Sequence, residues 1–146
     1  MDVIWAPWRM EYILGEKITG CIFCSFQKFP EEDEKNLVIH RGKKCFVMLN
    51  KYPYNNGHLM IIPYRHIADF TELNHDELLE IMTLTQKVLK IFNITMKPSG
   101  FNAGINLGKV AGAGVEDHVH LHVVPRWDGD TNFMPVIGST KVMPQH

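Results

Sequence analysis

The chain has 146 residues, with 15 basic and 16 acidic side chains and a formal net charge of -1, so charge gives no case for binding nucleic acid or a membrane surface. Its 45% hydrophobic and 21% charged content is that of a globular domain large enough to bury a core. No apolar run reaches the ~20 residues that span a bilayer, the N-terminal MDVIWAPWRMEY lacks the apolar core of a secretion signal, and three cysteines build no disulfide framework. A single cytoplasmic domain over residues 1–146 is expected, partnered by neither nucleic acid nor membrane.

In chain order, residues 1–20 form an arm with Trp5, Trp8 and Arg9 in the run WAPWR. These side chains read as packing anchors, or as groups that stack on a base or reach across a dimer. Cys21-Ile22-Phe23-Cys24 has the spacing of half a tetrahedral zinc site. A redox pair lacks its usual βαβ surroundings, and two buried thiols are the plain alternative. Pro30–Asn36 is polar and reads as a loop. Leu37–His40 and Cys45–Leu49 are β-prone runs joined by Arg41-Gly42-Lys43-Lys44, hence a hairpin, with Cys45 in the core. Leu59–Pro63 is a third strand, entered through Asn55-Asn56-Gly57.

The spacing predicts a helix over 75–92. Asn74 caps it and Glu77 completes a capping box. Leu78, Ile81, Met82, Thr85, Val88, Leu89 and Phe92 fall on one face and predict a core-covering stripe. Pro98-Ser99-Gly100 breaks the chain. Phe101–Leu107 reads as a strand and Gly108–Gly114 as a glycine-rich loop. The next run is Asp117-His118-Val119-His120-Leu121-His122-Val123-Val124, which Pro125 is expected to end. From Arg126 onward the tail has no period. The predicted class is α+β: a mostly antiparallel five-stranded sheet covered by one long and one short helix.

Alternate residues of a strand share a face. His118, His120 and His122 therefore line one side, with Val119, Leu121 and Val123 in the core on the other. The row could ligate a metal, supply a nucleophilic imidazole, or be a structural polar patch. Three imidazoles buried without full hydrogen bonding would be costly, which disfavours the last. The loop Gly108–Gly114 favours nucleophilic chemistry, because glycine lets backbone N–H groups turn toward a phosphate. Gly112 and Gly114 are candidate phosphate contacts, and Asn50, Asn102 and Asn106 offer neutral donors and acceptors for ribose or phosphate.

HVHLHVV, together with LNKYPYNNGHLMIIPYRH, FNAGINLG and CIFC, resembles the histidine-triad (HIT) family over roughly residues 21–126. WAPWR and PRWDGDTNFMPVI resemble a bacterial branch that includes diadenosine tetraphosphate phosphorylases. The resemblance implies a homodimeric α+β nucleotide hydrolase or transferase that acts on AMP or another nucleotide joined through its α-phosphate to a leaving group. It makes His120 the nucleophile, its remote nitrogen held by the carbonyl of His118, and it places His122 beside the phosphate. Asn50 matches a ribose contact, His58 a histidine that supports the triad, and Asn106 a polar residue near the leaving group. It also implies a structural zinc on Cys21, Cys24, His66 and His118, and no organic cofactor. One departure stands out: where many members carry Gln-Ser or Gln-Thr ahead of the first histidine, this chain has Gly114 and Val115. A nucleoside phosphoramidate or aminoacyl-adenylate hydrolase, a nucleotide-binding regulatory module and a histidine metalloenzyme are the rival functions.

Overall fold

The computed structural model describes residues 20–53, 55–115 and 117–130; Trp5, Trp8, Arg9 and the tail from 131 on lie outside the described residues. Strands β1 (Val38–Arg41), β2 (Cys45–Leu49), β3 (Leu59–Pro63), β4 (Gly100–Ile105) and β5 (Leu121–Arg126) form one antiparallel sheet. Their order is β1-β2-β3-β5-β4, so the last strand lies between β3 and β4. Helix α1 (Ile22–Lys28), the single turn α2 (Asp33–Asn36) and the long α3 (His75–Thr95) complete the α+β fold expected from the sequence.

Period-2 alternation divides the strands between two apolar layers. Cys45, Val47, Leu59, Ile61, Leu121 and Val123 pack with Ile81, Leu84 and Val88 of α3. Phe46, Met48, Met60 and Ile62 face the other way and meet Phe23 of α1 and Val38. His122 pairs with Met60 across β3 and β5, which puts the histidine row on this second side.

Helix α3 starts as its cap predicts: Asn74 Oδ1 accepts from the Glu77 N–H at 3.0 Å, and Glu77 accepts from the Asn74 N–H at 2.9 Å. The predicted stripe needs one correction. Met82 is 56% exposed, while Leu84, absent from the prediction, is buried. At 100° per residue, the buried arc centred on Ile81 and Val88 takes in Leu84 but leaves Met82 just outside. Glu77 is also buried, a carboxylate in an apolar stripe. Arg65 satisfies it in bidentate fashion, at 2.6 and 2.8 Å, and lowers its pKa further than burial raises it. The pair ties the end of β3 to the start of α3 and so holds the segment that carries His66. Glu80, one turn on, accepts from the backbone N–H groups of Lys43, Lys44 and Cys45, clamping the β1–β2 hairpin to the same helix.

Three further expectations are corrected. Pro30–Asn36 is not a plain loop: Pro30–Glu32 is a 3-10 turn and Asp33–Asn36 one helical turn. Pro30 presets the entry φ, and Asp33 is fixed by a bidentate bond from Arg41 at 2.9 and 2.6 Å. Ladder pairing along the histidine run begins only at Leu121, with His118–His120 outside it. Pro125 does not end the strand but pairs with Phe101 inside it. The Pro125 carbonyl accepts from Asn55 Nδ2 at 3.2 Å, so this residue turns its polar groups toward the β3 side, beyond the last β3 pair at Leu59. Its missing N–H therefore costs no ladder bond.

Candidate active site

His118, His120 and His122 are 0%, 5% and 8% exposed, a buried row of imidazoles whose hydrogen bonds settle most of the tautomers. His120 Nδ1 lies 2.9 Å from the His118 carbonyl oxygen. A carbonyl can only accept, so Nδ1 carries the proton and Nε2 keeps its lone pair. His118 Nε2 lies 2.8 Å from the Pro63 carbonyl, so by the same argument His118 presents a lone pair on Nδ1. That nitrogen faces the Sγ atoms of Cys21 at 3.3 Å and Cys24 at 3.7 Å.

His122 is oriented from a third side. Asn50 Oδ1 accepts from the Tyr52 N–H at 2.9 Å, which turns the Asn50 amide nitrogen toward the His58 ring, 3.4 Å from Nδ1 and 3.5 Å from Nε2. His58 Nε2 and His122 Nδ1 share a hydrogen bond at 2.9 Å. His58 reaches this place through Gly57, whose φ of +77° belongs to the left-handed region. A Cβ there would also lie 2.9 Å from Met96 Sδ and 3.1 Å from Pro125 Cγ.

Burial lowers the pKa of all three triad histidines, so the rings are neutral at pH 7. For His122, burial comes first, then the neighbouring His120 and His58, and together they push it down to about 2. The sign of the linkage follows. The unfolded chain takes up a proton near pH 6.5 and the folded chain does not, so the contribution is whole above 6.5 and declines as pH falls toward 2. Between pH 7.5 and 5, His122 alone should remove about 2 kcal/mol of stability. Denaturant titrations of wild type and His122→Asn should show the variant losing about 2 kcal/mol less over that interval. Equal losses would mean that His122 is not held neutral.

Among the described residues, the metal-type cluster is Cys21, Cys24, His66 and His118, with all four donor atoms within 4.8 Å of one another. Cys24 Sγ is 3.4 Å from His66 Nδ1. Two thiols and two imidazoles are a tetrahedral zinc donor set. The Pro63 carbonyl holds His118 in the ligating tautomer, as an outer partner of a metal site does. The residues therefore fit such an ion. Burial, then the Cys21 thiol, keeps the Cys24 thiol above its ordinary pKa, so without a cation that sulfur stays protonated at neutral pH. The segments are also tied together, since the Val119 N–H donates to the Ile67 carbonyl at 2.7 Å. The alternative of a three-histidine metal centre is not what the fold builds, because His118 alone of the row joins a cluster of this kind among the described residues.

Of the other candidates, Asn106 Nδ2 donates to the Gly112 carbonyl at 3.3 Å and so braces the glycine-rich loop. That loop contains a 3-10 turn at Lys109–Ala111 and puts Gly112 at a φ of +90°. Gly114 is exposed, whereas Val115 packs partly against the second apolar layer. Asn102 is engaged elsewhere, its Oδ1 accepting from Arg126 at 2.8 Å. Sequence reasoning missed Phe23. Its ring meets His118 and His120 edge-on, at centroid distances of 5.4 and 5.1 Å. Its place between the two cysteines is the signal that could have found it.

An antiparallel sheet with a carbonyl-oriented imidazole in a buried row of three defines a histidine-triad protein. The HIT domain profile matches residues 31–129, and the chain belongs to that family. It is 42% identical over 149 residues to an AP-4-A phosphorylase of Mycobacterium tuberculosis, covering 97% of this chain and 76% of the relative. It is 33% identical to the asymmetrical bis(5'-nucleosyl)-tetraphosphatase of Schizosaccharomyces pombe, over 72% of this chain and 56% of that one. The crystal structure of a Zn-bound histidine triad family protein from Mycobacterium smegmatis superposes with a TM-score of 0.66 at 29% identity, covering 76% of this chain and 78% of the other.

Proposed function

We propose that this protein cleaves a dinucleoside polyphosphate, of which diadenosine tetraphosphate is the best single case, at the α-phosphate through a nucleotidyl intermediate on His120. The observation that carries the reading is the His120–His118 hydrogen bond, which leaves Nε2 of a neutral imidazole as nucleophile. Names of two relatives, a phosphorylase and a tetraphosphatase acting on such nucleotides, support it. Nε2 attacks the α-phosphorus, the N–P bond forms, and the P–O bond to the leaving polyphosphate breaks. His122, held against His58 at 2.9 Å, is assigned to orient the phosphate or the leaving oxygen by hydrogen bonding, and the polyphosphate leaves as an anion that takes up any proton from solvent. Asn50 is assigned to the ribose, and Asn106 with Gly112 and Gly114 to the phosphates, whose charge the loop's N–H groups stabilise. The acceptor then attacks phosphorus and frees Nε2.

Cys21, Cys24, His66 and His118 are assigned a structural zinc, which would join the N-terminal segment to the strap before α3 and to the histidine row. A homodimer built on β4, an edge strand among the described residues, and a cytoplasmic location are part of the same reading; light scattering reads the mass. The test of the reaction is its products. Diadenosine tetraphosphate should give ATP with AMP in water, and ATP with ADP once inorganic phosphate is the acceptor. Two molecules of ADP without added phosphate would place cleavage at another bond and contradict attack at the α-phosphate.

A further inference from the structure

We propose that His118 and Phe23 are positioning residues that couple the cysteine–histidine cluster to the orientation of the His120 ring. The inference rests on the nucleophile and zinc assignments above and goes beyond them, since neither requires the two sites to communicate.

His118 points in three directions at once. Its Nδ1 faces the cysteines, its Nε2–H is bonded to Pro63, and its carbonyl accepts from His120 Nδ1–H. Movement of its ring toward or away from the cluster therefore moves the peptide group that orients the nucleophile. Phe23 forms a second link. It sits in the first turn of α1, between Cys21 and Cys24 in sequence, and is 1% exposed. Its ring contacts both His118 and His120 edge-on. When Cys21 and Cys24 are fixed by a common ligand, the turn between them is fixed, and Phe23 is pressed against both imidazoles. The His118 carbonyl then holds one edge of the His120 ring while Phe23 blocks its rotation. Catalytic groups must be held within about 0.5 Å and 10–20° of the productive geometry, and two such supports on one ring meet that demand.

The experiment compares wild type as zinc-loaded, chelator-stripped and zinc-reloaded protein with zinc-loaded Phe23→Leu. Four quantities are read: zinc per chain, the single-turnover rate of His120 nucleotidylation at saturating diadenosine tetraphosphate, the nucleotide dissociation constant, and the rate at which diethylpyrocarbonate modifies His120 by mass spectrometry. Stripping and Phe23→Leu should each slow nucleotidylation about tenfold to a hundredfold. The dissociation constant should change by no more than about threefold. Zinc should restore the stripped wild type. Modification of His120 by diethylpyrocarbonate should change alongside the nucleotidylation rate. A purely structural role would move rate and affinity together, and overturns the proposal. A folded, stripped protein with the native rate overturns the coupling, as does a folded, zinc-loaded Phe23→Leu with the native rate. If stripped protein unfolds, the Phe23→Leu arm decides. Absence of adduct in every preparation defeats the covalent reading, and absence of zinc in every preparation defeats the metal reading; either takes this proposal down by a different, recognisable route.

Discussion

His120→Ala should lower turnover of diadenosine tetraphosphate by about 10⁴-fold or more while nucleotide affinity changes little. The substitution removes the atom that forms the covalent bond and leaves the other parts of the pocket in place. Asn50, His58 and His122 hold one another without His120. The glycine-rich loop is braced by Asn106, not by the triad. Steady-state kinetics with calorimetric titration of a nucleoside monophosphate checks the expectation. Near-native turnover with intact binding would show that another atom is the nucleophile, and a parallel loss of binding would show that His120 serves affinity instead.

Cys24→Ser should abolish stoichiometric zinc and lower the melting temperature. Wild-type protein should hold about one zinc per chain. An ion present at a hundred times its dissociation constant stabilises a fold by about 2.7 kcal/mol. In a chain of this size that corresponds to a fall of about 5–10 °C when binding is lost. The effect is smaller than the collapse of a metal-nucleated finger because two apolar layers remain on the sheet. Elemental analysis and calorimetry on the same samples decide it. A metal-free wild type that melts with the loaded protein would leave the cysteines as ordinary thiols.

The features legible in the sequence are those set by local periodicity and local chemistry. Alternation put three histidines on one face and three apolar residues on the other. The Asn74–Glu77 box marked the start of α3 because both partners lie within one turn. Met82 was misplaced because a seven-residue stripe inferred from hydrophobicity is wider than the arc the sheet covers. Pro125 was read as a terminator because a proline's cost depends on which neighbour faces its missing donor, and strand order is not written locally. The division of labour within the triad was legible only through family resemblance. Cys-x-x-Cys is half a site, and its completion by His66 and His118 requires the strap after β3 to cross beside the histidine row. Phe23 was missed for the same reason: its contacts with His118 and His120 span about a hundred residues of chain.

Nε2 of His120 is the atom proposed to carry the nucleotidyl group during turnover. The direct measurement is rapid acid-free quenching of wild-type protein with diadenosine tetraphosphate, followed by intact-mass and peptide analysis. One nucleotidyl group per chain should appear on the peptide that contains His120, disappear when inorganic phosphate is added, and be absent from His120→Ala. Turnover with no adduct at any quench time, or an adduct that maps to His118 or His122, would contradict it.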